Sequence, residues 1–341
     1  MTGTIRVAAF SGGRLVPSAR FRVRQYVQDL ITHGVEVDEF MPATGTAYPP
    51  VGLADRLPWL ASQLGQRLAQ VRAARRYQLT VLQRQMISTI NTFEWLTTRP
   101  RLLDVDDAIW LSARFGSVAR LAARCDGVIC GNRWLAEYFS RFNPAIHLVP
   151  TAVDTRLWQP AAAPNSTPRR YIGWIGTSGN LPYLRELEPA LQSILASVRD
   201  VDLLVVSDRA PEFLQLPASR VVYRPWSQAN EIADIQAMSV GLMPLHDSEW
   251  ARGKCSFKML QYMACAVPAV VSPVGMNQEV AAQGGALLAD GEKDWIDALL
   301  TLLTDEVARQ ELGSIARGVV EQHYATEVVA SSLARVYRQY V

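Results

Sequence analysis

The 341-residue sequence predicts an α/β protein built from two doubly wound parallel-sheet domains in tandem. Three observations predict it. Short β-rich apolar runs alternate with helical patterns almost from end to end, which requires parallel strands covered by helices on both faces. A Pro- and Ala-rich segment at 159–168 interrupts that rhythm and suits an inter-domain linker. After it the same alternation restarts.

In the first half, Ile5–Phe10 reads as a buried strand. Residues 21–30 carry Val23, Tyr26, Val27 and Leu30 at helical spacing, and Val35–Phe40 returns as a strand. Further strands are expected at Leu79–Gln83, 102–105, Gly127–Cys130 and 146–149. The second half gives strand 171–175, helix 183–198, strands 201–206 and 221–223, and helix 231–238. Strand 240–245, helix Phe257–Ala264 and strand Ala269–Val271 follow. Residues 325–341 repeat Val328, Val329, Leu333, Val336 and Tyr337 at helical spacing with no strand after them. The expected division is therefore 1–158, a linker at 159–168, 169–324, and a terminal helix at 325–341 packing across the junction. Two such sheets facing each other leave a cleft at the carboxyl ends of their strands, where ligands bind in open α/β sheets.

Composition narrows the function. With 49% hydrophobic and 19% charged residues, the chain can fill two cores. A formal net charge of +2 makes no electrostatic case for nucleic acid, and none is expected as a partner. Cys125, Cys130, Cys255 and Cys265 show no CxxC spacing and only four histidines exist, so no zinc site is expected. The cysteines read as small reduced core residues of a cytoplasmic protein. The start, Met1-Thr-Gly-Thr-Ile-Arg6, shows no secretory pattern, and no apolar run approaches the ~18 residues of a membrane span. The expected location is the cytoplasm, with a peripheral place at the inner face of the membrane left open.

Two loops in the second half carry the sharper signals. The first is Gly173-Trp-Ile-Gly-Thr-Ser-Gly-Asn180, after a strand and opening a helix. Gly176 and Gly179 permit close backbone approach, and free N–H groups through Thr177 and Ser178 would favour a diphosphate. Asn180 is a candidate cap and Pro182 fits the first turn. An ordinary tight turn that binds nothing reads equally well. The second loop, His246 to Ala264, runs from a strand end into a helix with Ser256 as candidate N-cap. Arg252, Lys254 and Lys258 cluster where the sheet opens, and Gln261 follows Lys258 on the same helix face. Three cations beside a helix N-terminus suit a leaving diphosphate better than a surface-lysine reading does.

At these residues the sequence resembles a known family. The order strand, loop, helix and "QYMACAVPAVVSPVG" looks like the donor-binding signature of retaining GT-B glycosyltransferases, the GT4-like or group 1 family. The resemblance extends to Asp104–Trp110, Cys125–Cys130, 149–154 and the Gly176 loop. It implies two Rossmann-like domains and transfer of a sugar from a nucleotide donor to a hydroxyl acceptor, a glycan or lipid-linked glycan. It also implies retention, surface polysaccharide or glycoconjugate synthesis, and no cofactor or essential metal. The sequence departs from the usual pattern where Gln261 takes the helix Glu position and Gly253 the loop Glu position. Thr177, Ser178 and Asn180 stand where such enzymes often place Arg and Lys. On this reading Arg252, Lys254 and Lys258 supply the diphosphate charge and Gln261 hydrogen-bonds ribose. Glu249 is a substitute for the missing loop carboxylate. Trp226, at a strand end, borders the base or else lies in a core or interface.

In the first half, the Gly12-Gly13 turn resembles the family's acceptor-side glycine loop, and Arg14 and Arg20 would face the cleft. Arg22 and Arg24 read as a solvated helix face. Asp106 and Asp107, at a strand end, would orient or deprotonate an acceptor hydroxyl, or cap the next helix. Gln83 and Arg84 are further acceptor-side candidates. Between Arg56 and Phe93 lie six arginines and no acid. Leu57, Leu60, Leu64, Leu68 and Val71 recur at helical spacing, with Arg67, Arg72, Arg75 and Arg76 off the stripe. That pattern reads first as a helix covering the sheet with a wet basic face. Docking of the Arg56–Arg84 region on anionic lipid is the other reading. Two rival functions stand beside transfer: a nucleotide-sugar-binding protein without catalysis, and a sugar-nucleotide epimerase.

Overall fold

The computed structural model describes residues 3–50, 52–112, 116–162 and 169–341. Most of the expected linker, at 163–168, lies outside the described residues. The chain forms two compact units. The first comprises Met1–Ala152, Gly253–Cys255 and Thr326–Val341; the second comprises Val153–Arg252 and Ser256–Ala325.

The first unit holds a six-stranded parallel sheet: β1 (Ile5–Phe10), β2 (Val35–Phe40), β3 (Leu79–Gln83), β4 (Arg101–Val105), β5 (Gly127–Cys130) and β6 (Ile146–Leu148). Its order is β2-β1-β3-β4-β5-β6, with Ala8 beside both Asp38 and Thr80. The central strands β3, β4 and β5 are buried throughout, as strands packed on both faces must be. The strand order reverses between the parallel neighbours β1 and β3, so their carboxyl ends, Ser11-Gly12 and Arg84, open a crevice. The terminal helix Thr326–Arg338 joins this core. Its Val329, Leu333 and Tyr337 pack with Ile5, Val7, Leu79 and Ile129.

The second unit repeats the plan with β7 (Arg170–Ile175), β8 (Val201–Ser207), β9 (Val221–Pro225), β10 (Val240–Met243), β11 (Ala269–Val271) and β12 (Ala286–Leu288). Its order is β12-β11-β10-β7-β8-β9, all parallel. The reversal lies between β7 and β10. Helix Phe257–Ala264 crowds β10 so closely that a Cβ on Gly241 would meet the Tyr262 ring at 2.5 Å.

Three sequence expectations are corrected. Residues 21–30 are not one helix: Pro17–Arg22 ends, a 3-10 turn covers Arg24–Tyr26, and Val27–Thr32 resumes. Val23, at φ −125° and ψ −68°, makes the break. Arg22 is not solvated. Its guanidinium is buried and bidentate with Asp104, at 2.8 Å twice, and also donates to the carbonyl of Val149 at 3.0 Å.

The third correction concerns helix Leu53–Ala73. Leu57 is 76% exposed, whereas Arg67 is fully buried. The helix lies over strand ends, not over the sheet face, and strand ends present bare carbonyls. Arg67 donates to Ser11 O at 2.8 Å, Phe40 O at 3.0 Å and Met86 O at 3.0 Å. Gln66 and Gln70 both donate to Met41 O. Polar side chains therefore face inward, and the leucines do not cover the sheet.

Candidate functional site

In the first unit the carboxyl ends of β1, β3 and β4 meet around a small pocket. Gly12, Gln83, Arg84, Tyr48, Gln85 and Ser88 are among its lining residues. Gly12 N–H donates to Gln83 Oε1 at 3.4 Å, and Gln83 Nε2 donates to Ser18. Gly13 is required at its position: its φ is +122°, and a Cβ there would stand 2.3 Å from Gly45 O. Arg14 is exposed, Arg20 stacks its guanidinium 4.7 Å from the Phe21 ring, and neither lines the pocket.

Arg84 is the organising charge. Held at φ +68°, it donates to Asp106 Oδ1 at 2.8 Å and to Asp107 Oδ2 at 2.7 Å. A non-glycine residue in that region is strained, and such strain concentrates at functional sites. Burial opposes the Arg84 charge, but Asp106 and Asp107 outweigh it and raise its pKa further. Burial pushes the Asp107 carboxyl up, Asp106 adds to the rise, and Arg84 and Lys254 pull it down. The aspartates are thus tied to Arg84 and make no side-chain helix cap.

Lys254 reaches this unit because the strap Gly253–Cys255 belongs to it. Asn132 Nδ2 donates to Lys254 O at 3.0 Å, and Cys255 Sγ donates to Asp106 O at 3.2 Å. A Cβ on Gly253 would meet Ala108 at 2.8 Å, and one on Gly131 would meet Cys255 Sγ at 2.3 Å. Two glycines therefore let the strap seat beside the aspartates.

In the second unit the carboxyl end of β7 carries the Gly176 turn. Lys258 Nζ lies 5.4 Å from the Trp174 ring centroid, and a Cβ on Gly176 would stand 2.8 Å from that same Nζ. The same Cβ would first meet the buried Trp174 ring at 2.6 Å, so glycine lets that ring and the ammonium close on the turn together. Three residues on, Gln261 is 6% exposed, and among the described residues nothing hydrogen-bonds its side-chain amide. Its amide atoms are not among the buried polar atoms left without a partner, so they reach solvent and stand available to a ligand.

The expectation of free N–H groups at Ser178 is corrected. Ser178 N–H donates to Asp208 Oδ1 at 2.6 Å and its hydroxyl to Asp208 Oδ2 at 2.8 Å. The Ser178 N–H holds the Asp208 carboxyl below the usual range, and its hydroxyl reinforces this. Asn180 makes no cap; it donates to Thr177 Oγ1 at 2.8 Å. Pro182 does stand in the first turn. A Cβ on Gly179 would meet nothing within 4 Å.

Ser256 is not a cap either. It sits at φ +50° and donates to Asn277 Oδ1 at 2.7 Å, while Asn277 Nδ2 donates to Ser272 O at 3.1 Å. Asn277 thereby fastens the start of helix Phe257–Ala264 to the loop after β11. The three expected cations serve different groups: Arg252 forms an exposed bidentate pair with Asp247, Lys254 acts on the Asp107 carboxyl, and Lys258 lies over the Gly176 turn. Glu249 begins an exposed turn of helix, and Trp226 is 46% exposed, not core.

Asp208, Asn277 and Asn132 escaped the sequence reading. Asp208 and Asn132 each follow a strand's carboxyl end, a positional signal that marks them only once strand ends are known. Among the described residues no group of three His, Cys, Asp or Glu side chains is placed to hold a metal ion.

Residues 169–305 match the family model described as Glycosyl transferases group 1. The N-acetyl-alpha-D-glucosaminyl L-malate synthase of Bacillus anthracis is 29% identical over 171 residues, 46% of this chain and 43% of that protein. The chain thus spans less than half the length of this curated relative. Among solved structures, sucrose-phosphate synthase from Thermosynechococcus elongatus superposes with a TM-score of 0.72 at 17% identity, over 98% of each chain. Anabaena HepE in complex with UDP and glucose gives a TM-score of 0.69 at 14% identity, over 98% of this chain and 100% of that one. The fold is GT-B, and the resemblance to group 1 glycosyltransferases read from the sequence is borne out.

Proposed function

We propose that this GT-B chain, which matches group 1 glycosyltransferases over residues 169–305, moves a sugar from a nucleoside-diphosphate donor to an acceptor hydroxyl. The observation that carries the reading is Lys258 held over the Gly176 turn with the unpartnered Gln261 amide one helical turn on. An ammonium at the carboxyl end of β7 stabilises charge developing on a departing diphosphate. The Gln261 amide is a fitting partner for ribose hydroxyls. HepE, whose structure holds UDP and glucose, supports a nucleotide sugar as donor.

The first unit takes the acceptor. Its pocket ends at Arg84, which orients Asp106 and Asp107, and Lys254 adds a cation beside them. In the reading we adopt, the acceptor oxygen bonds to the anomeric carbon as the bond from that carbon to the phosphate oxygen breaks. The acceptor proton passes to the departing phosphate oxygen on the same face, so configuration is retained. Positioning and charge stabilisation then outweigh the need for a strong base. Asp107 orients the hydroxyl. No essential metal enters this reading, since Lys258 provides the positive charge. The product class we favour is a glycoconjugate or surface polysaccharide.

A thermal-shift screen across nucleotide sugars tests donor binding, because a ligand at a hundredfold excess over Kd stabilises the fold by about 2.7 kcal/mol. Incubating the stabilising donor with an acceptor panel and weighing the products by mass spectrometry tests transfer. A free epimerised sugar formed without acceptor, or binding without any product, replaces this reading with one of its rivals.

A further inference from the structure

Helix Leu53–Ala73 is committed along its carboxyl-terminal half and open at its amino-terminal end, where residues 52–58 are all exposed. Gln63, Arg67 and Val71 are its buried residues, and Gln63 Nε2 donates to Thr44 Oγ1 at 3.0 Å. Leu53, Leu57, Leu60, Leu64 and Leu68 share an arc of roughly 80° at 3.6 residues per turn, which at the far end of the helix carries the buried Val71. Leu53 is 77% and Leu57 76% exposed, and Leu60, Leu64 and Leu68 are half-buried. The two solvated leucines at the open end, continued by three half-buried ones, signal an interaction surface, not a core.

Charge identifies the occupant. Arg56 and Arg72 lie on either side of the leucine arc, and Arg75 follows at its end; all three are exposed. From Met41 to Phe93 the only acid is Asp55. We propose that this leucine edge, with Arg56, Arg72 and Arg75, docks on an anionic bilayer surface. The leucines enter the headgroup boundary while the arginines meet lipid phosphates, the arrangement of an interfacial amphipathic helix. A second copy of this chain fits less well. An edge with three arginines and one acid repels its own image, and five leucines fall short of the roughly 1,000 Å² that a stable interface buries. No helix among the described residues is long and apolar enough to cross a membrane, so the contact lies on the surface.

The test is flotation of the full chain with phosphatidylcholine vesicles, with and without phosphatidylglycerol. Binding is expected only with phosphatidylglycerol, and it should fall with salt. Arg72→Gln with Arg75→Gln should lower partitioning about 30-fold, and Leu53→Gln with Leu57→Gln at least about 10-fold. Leu214→Gln, a change at a 96% exposed leucine in the second unit, should change nothing. All are exposed positions, so circular dichroism melting should match wild type. Absence of binding, equal binding to neutral vesicles, or unchanged partitioning in both double variants overturns the proposal. So does a lipid-free dimer by sedimentation velocity that the leucine variant dissolves. Vesicle binding is read without turnover, so its failure leaves the transferase reading standing.

Discussion

Arg67 donates to the carbonyl of Ser11 at 2.8 Å, so a charged side chain, not a leucine, fastens helix Leu53–Ala73 to the end of the first strand. Burial pulls this guanidinium down to about 10, and it still carries its charge at neutral pH. Replacing it by Met should leave the Ser11 and Met86 carbonyls unpaired, since Phe40 O keeps the Ser11 N–H, and cost about 2 kcal/mol or more. Urea titration of Arg67→Met against wild type checks this. An unchanged midpoint would mean that water replaces the guanidinium at no cost.

Asp104 and Arg22 form a buried bidentate pair between β4 and the helix Pro17–Arg22. Asp104→Asn leaves a guanidinium buried without its counter-charge and should destabilise by roughly 3–5 kcal/mol. The reverse change, Arg22→Met, removes that penalty's source but strands the carboxylate. Each single variant should therefore cost more than the apolar double replacement, Arg22→Met with Asp104→Leu, measured by denaturant melts.

Asp107 sets a pH dependence. Burial and Asp106 raise its carboxyl, while Arg84 and Lys254 restrain the rise. A folded value above the unfolded one means the folded state holds this proton more tightly. Its contribution to stability is thus present at low pH and lost as pH rises through the folded value. If ionised Asp107 orients the acceptor, the acid limb of kcat/KM lies above the ordinary carboxylate range. Arg84→Gln or Lys254→Ala should move that limb to higher pH. A limb that stays in place in both variants removes Asp107 from the reaction.

Cys255 and Gly131 test the strap. A methyl at Gly131 would stand 2.3 Å from Cys255 Sγ, so Gly131→Ala should displace Gly253–Cys255 and cost about 1–3 kcal/mol. Adding Cys255→Ala opens the space again. A double-mutant cycle on thermal melts and on kcat/KM should show recovery in both; additive losses would mean that the contact does not hold the strap.

Periodicity and strand composition were enough to read both sheets, because central strands such as Leu79–Gln83 are buried on both faces and contain few polar residues. Strand Ala286–Leu288 was not legible: three half-exposed edge residues after Gly284-Gly285 carry no period. The leucine stripe misled for a definite reason. Periodicity locates an apolar face, but carbonyls at strand ends can recruit polar residues inward, and that demand is invisible until the helix is placed. At the site, the glycines at 13 and 176 and the cation at 258 were legible as types. The capture of Ser178 by Asp208, and of Lys254 by the first unit, depends on partners remote in sequence.

The central claim is that Lys258 and Gln261 receive a nucleoside diphosphate. Isothermal titration calorimetry of UDP, GDP and ADP against wild type, Lys258→Ala and Gln261→Ala tests it most directly. The account predicts that at least one nucleotide binds wild type. It also predicts that Lys258→Ala weakens it about 100-fold, equivalent to about 2.7 kcal/mol, with a smaller loss for Gln261→Ala. No binding to wild type, or equal affinity in the folded Lys258→Ala variant, would contradict it.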